Sequence, residues 1–247
     1  MLQEKQSLCY LVLKAISESR VPVGCGFIRN YIISHGFEIS EATVGRMLRQ
    51  FDMVGHTEKM GFKGRILTEL GKEKLEELEH ENKISQYGKE LLNVIKVTGK
   101  QELLDILMAR KAIESQLAKL AAQYITDKEI VEMHKIIQKQ ERHVEIGASI
   151  AEDDLIFHKT VAQIANNRVL EAALDLIRQQ VQLAPILEYI RKEVKSTVLT
   201  DHLNIFNAII SRDPDGAQEA MIRHIENLER DVERYWEIVY SDEIDLS

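Results

Sequence analysis

The sequence predicts a mainly α-helical chain in two parts, and three observations carry that expectation. Glycine (12) and proline (3) are sparse in 247 residues, which favours long helices over strands and turns. Apolar residues recur at three- and four-residue spacing along most of the chain, as in helices with one buried face. Charge is divided unevenly: residues 1–68 hold nine Lys and Arg against six Asp and Glu. That part is therefore +3, and the remainder carries −11 of the overall −8. A basic part can face a polyanion while an acidic part keeps the chain soluble.

The length suits one large or two ordinary domains, and 45% apolar residues can fill a real core. No run of roughly 18 apolar residues exists, so no transmembrane helix is expected. Met1-Leu-Gln-Glu-Lys-Gln lacks a basic stretch before an apolar core, so no signal peptide is expected and the location reads as cytoplasmic. Cys9 and Cys25 lack metal-like spacing and read as small buried hydrophobes.

Taken in order, Leu8, Leu11, Val12, Ala15 and Ile16 make a helix over 4–19, ended by Val21-Pro22. Phe27, Ile28, Tyr31, Ile32 and Ile33 make a second, which stops near Gly36. Ser40 is a good N-cap for a third, Glu41 to about Met53, with Val44, Met47, Leu48 and Phe51 inward. His56 to Thr68 reads as two short strands around a Gly61/Gly64 turn, and Leu67-Thr-Glu-Leu-Gly71 opens a helix through Leu78. Three helices and a Gly-tipped hairpin are the order of a winged helix-turn-helix, assigned to residues 1–78.

That order suggests duplex DNA as a partner. Ser40 at the helix N-terminus can accept a phosphate. Thr43 and Arg46 lie on the outer face, within reach of major-groove base edges. Arg49, Lys59, Lys63 and Arg65 could grip backbone phosphates. Singly, each could equally be a solvated charge; together with the wing they favour DNA, although RNA or a protein partner also fits a +3 domain.

Residues 79–99 read as a charged helical linker, interrupted by Gly88 and closed by Val97-Thr98-Gly99. From 100 to 240, helices of about 101–124, 127–146, 149–165, 168–190, 193–211 and 214–239 are expected. They are separated by Thr126-Asp127, Gly147-Ala-Ser149, Asn166-Asn167 and Asp213-Pro214-Asp215-Gly216. Asp213 before Pro214 is an expected N-cap with proline at the first helical position. Six or seven helices with short loops make an antiparallel bundle.

Within that bundle, Asp154 and His158 stand four apart, hence on one helical face. His202 and His224 sit on later helices, each among apolar residues. Facing helices can bring such groups to one core site, where three imidazoles and a carboxylate suit Zn, Ni, Mn or Fe. A dication with one carboxylate leaves the site at +1 and open to a small carboxylate. Satisfied core histidines are the competing interpretation, adopted for His35, His56, His80, His134 and His143.

Residues 101–235 resemble the FCD domain, the effector domain of one branch of GntR-type bacterial regulators. The likeness rests on Leu107-Met-Ala-Arg110-Lys-Ala-Ile-Glu114 with Leu120-Ala-Ala122, and on Asp154-Leu-Ile-Phe-His158 with Ala165-Asn-Asn167-Arg-Val-Leu170. It extends to His202 ahead of Ile205–Ile209, and to Asp213 through Ala217, Ala220 and His224. The resemblance implies an all-helical, dimeric effector domain and a metal on Asp154, His158, His202 and His224. It also implies that Arg110 holds an effector carboxylate, against an ion pair with Glu114, and that Asn167 lines the pocket, against a helix cap. The usual GntR reading head, with Pro-Gly before Leu-Pro-Ser and a Val-Ser-Arg turn, is absent. The N-terminus instead resembles other bacterial winged helices, including the small one preceding some ribonucleases.

The expected function is thus a homodimeric, operator-binding transcriptional regulator with a metal-dependent sensor and no enzymatic activity. The alternative is a helical-bundle metallohydrolase or oxygenase. Against it, no general base stands beside the ligands, and Asp201-His202 reverses the His-Asp order of helical phosphohydrolases.

Overall fold

A computed structural model describes residues 2–96, 99–179 and 183–244, with side chains described from residue 7 and not for 179 or 240–244. The chain forms two compact units, Met1–Glu90 and Leu91–Ser247.

The first unit holds α1 (Leu2–Ser17), α2 (Cys25–Ser34), α3 (Glu41–Met53), β1 (Thr57–Lys59), β2 (Arg65–Leu67) and the start of α4 (Glu69–Val94). Its core gathers Leu11, Val12, Leu13, Ile28, Ile32, Val44 and Leu48, all buried. The Ser40 hydroxyl accepts from the Thr43 N–H and starts α3 as expected. β1 and β2 pair antiparallel with Glu58 opposite Ile66, so the expected winged hairpin forms. Val23 adds a bridge to Arg65, its N–H donating at 3.1 Å and its carbonyl accepting at 2.9 Å. Gly64 allows this approach: it has φ +125°, and a Cβ there would stand 2.5 Å from the Val23 backbone. The helix after the wing and the helical linker form one helix, because α4 runs on through Gly88 to Val94. Val97 and Thr98, placed in the linker, lie outside the described residues.

The second unit is all helix: α5 (Lys100–Tyr124), α6 (Asp127–Glu145), α7 (Ala151–Ile164), α8 (Arg168–Gln179), α9 (Leu183–Glu193), α10 (Leu199–Ile210) and α11 (Pro214–Ile244). Thr126 and Glu129 close a reciprocal capping box at the start of α6. Asp213 accepts from the Gly216 N–H, so Pro214 opens α11 as the sequence suggests. The helix expected over 168–190 falls on α8 and α9, and residues 180–182 between them lie outside the described residues. α5 and α11 pack along one another, with α7 and α10 against them. Ala118, Ala121, Phe157, Ile205, Ala217 and Met221 form one buried cluster, and Leu103, Leu107, Leu187, Ile225 and Leu228 another. Among the described residues no helix is long and apolar enough to cross a membrane.

Candidate metal centre

α7, α10 and α11 bring the four singled-out residues together. Asp154, His158, His202 and His224 each offer one ligand-type atom, all within 4.8 Å of one another. Asp154 and His158 meet because they are one turn apart on α7. The three histidines are at most 1% exposed, and their ring centroids lie 5.0 to 5.2 Å apart. Phe157 stacks on His202 at 4.4 Å and fixes the plane of that ring.

Each imidazole has an acceptor at Nδ1. The Glu114 carboxylate meets His158 Nδ1. Gln140 Oε1 lies 2.9 Å from His202 Nδ1, and Asp201 Oδ2 lies 3.4 Å from His224 Nδ1. Gln140 is itself oriented, since its amide nitrogen donates to the Asp153 carbonyl at 3.0 Å. Its oxygen is therefore the acceptor, and His202 carries its proton on Nδ1. The bare Nε2 atoms of His158, His202 and His224 are buried without hydrogen-bond partners. An unmet buried acceptor costs about 1–3 kcal/mol, so three together are a substantial penalty. Asp154 Oδ1 lies 3.5 Å from His158 Nε2 and 3.4 Å from His202 Nε2.

Protonation favours ligation. Burial opposes ionisation of Glu114, but Arg110, His158 and Arg178 hold its carboxyl well below the usual range. Asp154 behaves likewise, with burial overcome by His158, His202 and Arg178. Burial drives His202 down to about 4 and His224 well below its ordinary value. Ionised carboxylates and neutral imidazoles are the forms that bind metal. The donor set and the three orphaned nitrogens thus fit a divalent ion.

Three arginines surround the cluster. Arg178 donates to Asp154 Oδ2 at 2.6 Å and to Glu114 Oε2 at 3.3 Å. Arg110 pairs through Nε with Glu114 at 2.5 Å, and its other two nitrogens are buried without partners. Its Nε is thus engaged by Glu114, the ion pair set beside the effector-gripping role in the sequence reading. Arg191, on α9, is 6% exposed, and none of its guanidinium nitrogens has a hydrogen-bond partner. It borders a cavity of about 220 Å³, walled also by Ile150, Asp154, Leu187, Thr197 and Leu228. Asn167 caps α8 by accepting from Val169 and Leu170, both at 3.2 Å, and is absent from both cavities. Its oxygen is engaged by the backbone, as the helix-cap alternative expected.

The sequence reading missed Gln140, Asp201 and Arg191 as parts of the site. Gln140 had a signal: it continues the buried stripe Met133, Ile137 on α6, where an apolar residue would be ordinary. Arg191 likewise follows Leu187 by one turn on the buried face of α9.

In the first unit, Arg46 and Arg49 on α3, with Lys59 and Lys63 in the wing, are exposed. The Thr43 hydroxyl accepts from Arg46 at 3.0 Å and also meets Ser40 at 3.0 Å. Arg65 differs from expectation. Its Nε donates to Asp52 at 2.9 Å and a second nitrogen lies 2.8 Å from the same carboxylate, so it braces the wing rather than standing free for phosphate.

A three-helix unit with a winged hairpin is thus followed along the chain by a helical unit that gathers Asp154, His158, His202 and His224. Residues 105–227 match the FCD domain, and residues 10–75 match the ribonuclease R winged-helix domain. Residues 105–227 thus carry an FCD domain. The chain is 30% identical over 136 residues to the Uxu operon transcriptional regulator of Escherichia coli K12, covering 51% of this chain and 52% of that protein. It is 32% identical over 127 residues to the Exu regulon transcriptional regulator of the same organism, covering 50% and 48%. The HTH-type transcriptional repressor NanR of Klebsiella aerogenes is 28% identical over 121 residues, covering 48% and 46%. The chain thus spans about half the length of the curated relatives it matches.

Proposed function

We propose that this chain is a DNA-binding transcriptional regulator whose FCD domain holds a divalent metal and recognises a small carboxylate effector. The observation that carries the sensor part is the set of three buried, partnerless Nε2 atoms beside the Asp154 carboxylate. Asp154, His158, His202 and His224 would hold the ion, with Glu114, Gln140 and Asp201 orienting the rings. The ion supplies positive charge and open coordination positions to which an anion is drawn. The relatives named above are transcriptional regulators, which supports regulation over the metalloenzyme alternative.

DNA binding is read on the first unit, with Ser40 and Thr43 at the start of α3, Arg46 and Arg49 along it, and Lys59 and Lys63 from the wing. A homodimer would offer two such heads to a pseudo-palindromic operator. An effector shifts operator affinity only by binding the two states of the protein unequally. The test is a gel shift with the DNA upstream of the chain's own gene, with and without added carboxylates. Wild type is expected to retard that DNA, and Arg46→Ala or Arg49→Ala to lose retardation with the fold intact. Full binding by both variants would remove α3 from the interface.

A further inference from the structure

Phe62 sits at the tip of the wing, fully exposed, and is the most exposed of the large apolar side chains described. A tight turn holds it there. The Lys63 N–H donates to the Met60 carbonyl at 3.1 Å, the Met60 N–H donates to the Gly64 carbonyl at 2.8 Å, and Gly61 supplies a φ of +61°. Such turns ordinarily carry Gly, Asn, Asp or Ser, so neither turn chemistry nor packing accounts for a phenyl ring at this position. One exposed apolar residue is ordinary by itself. Its neighbours set this one apart. Lys59 and Lys63 are exposed on either side of it, Met60 is exposed beside it, and no Asp or Glu occurs from Lys59 to Thr68. Gly61 and Gly64 keep the tip slim. An apolar point between two cations suits a polyanion whose phosphates flank an apolar stack, and duplex DNA entered from the minor groove is such a surface.

We propose that Phe62 is a wedge: with DNA bound, its ring enters between two base pairs from the minor groove, while Lys59 and Lys63 hold the phosphates on either side. The inference rests on the DNA-binding reading and deepens it. Phosphate contacts carry no sequence information, whereas a wedge favours steps that unstack at low cost, pyrimidine–purine steps above all. It also kinks the duplex, by roughly 20–90° for wedges of this kind. The wing thereby takes part in site choice through the deformability of the DNA, without a hydrogen bond to any base.

The test uses the full chain and circularly permuted fragments of the DNA upstream of its own gene, in which a bend shows as position-dependent mobility. A single strand of the same sequence is the comparison. Wild type is expected to bend the duplex. Phe62→Ala should bind it roughly tenfold more weakly and leave it unbent. The salt dependence of its affinity should stay as in wild type, because the phosphate contacts remain. Phe62→Leu keeps an apolar wedge without the aromatic ring, and should retain the bend and most of the affinity. An unbent wild-type complex overturns the proposal, as does Phe62→Ala that keeps the bend and binds within about twofold of wild type. Tighter binding to the single strand, with Phe62→Leu falling as far as Phe62→Ala, places the ring on unpaired bases and overturns the wedge. No binding of either DNA by wild type overturns the DNA reading, and this inference with it.

Discussion

Gln140 shows how a residue away from the ion can set the chemistry. Its amide is pinned by the Asp153 carbonyl, Asp153 by Lys139 at 2.8 Å and His143 at 2.5 Å, and its oxygen dictates the His202 tautomer. Gln140→Leu should therefore weaken metal affinity about 10- to 100-fold with helix content unchanged, measured by competition with a chelating dye. The buried imidazoles also give the metal-free protein a pH signature. His202 titrates at about 4 when folded against an ordinary 6.5, so the unfolded chain binds more protons between these values. Metal-free stability should thus fall as pH is lowered from 6.5 towards 4, as followed by the urea midpoint. A flat midpoint across that window would contradict neutral, buried histidines. Asp154, His158, His202 and His224 were legible as candidates in the sequence, since histidines among apolar residues stand out. Their number of orienting partners was not, because Gln140 and Asp201 reach the site from α6 and α10, and only the tertiary fold brings them there.

Local chemistry decides how much of each element could be read. Ser40, Thr126 and Asp213 cap helices by short-range hydrogen bonds, so three helix starts were visible in the chain. The wing depends on a close backbone contact that leaves its trace only as a glycine. Gly64→Ala should lower stability of the first unit by about 1 kcal/mol or more, from the positive φ together with the collision with Val23. Thermal unfolding measures this, and a wild-type midpoint would show that the wing relaxes without cost. Arg65 follows the same lesson: its charge suggested phosphate, but Asp52 on α3 stands against it.

For the whole chain, residues 1–68 carry +3, but the acidic start of α4 makes the first unit, Met1–Glu90, neutral in sum and leaves the negative charge on the second. Fold class was legible throughout, because long amphipathic helices and a Gly-tipped hairpin carry strong local patterns. The cavity beside Asp154 was not, because its wall is assembled from α7, α9, α10 and α11 and the turns between them. If the head grips DNA through Arg46, Arg49, Lys59 and Lys63, operator affinity should fall steeply with salt as phosphate contacts are screened. A gel-shift affinity unchanged between low and physiological salt would argue against a phosphate-bound head. The central claim is the metal, and elemental analysis of protein purified without chelator tests it most directly. Wild type should carry about one divalent ion per chain, and Asp154→Ala and His202→Ala, shown to be folded, should carry far less. Full metal content in either folded variant, or none in wild type, would contradict the account.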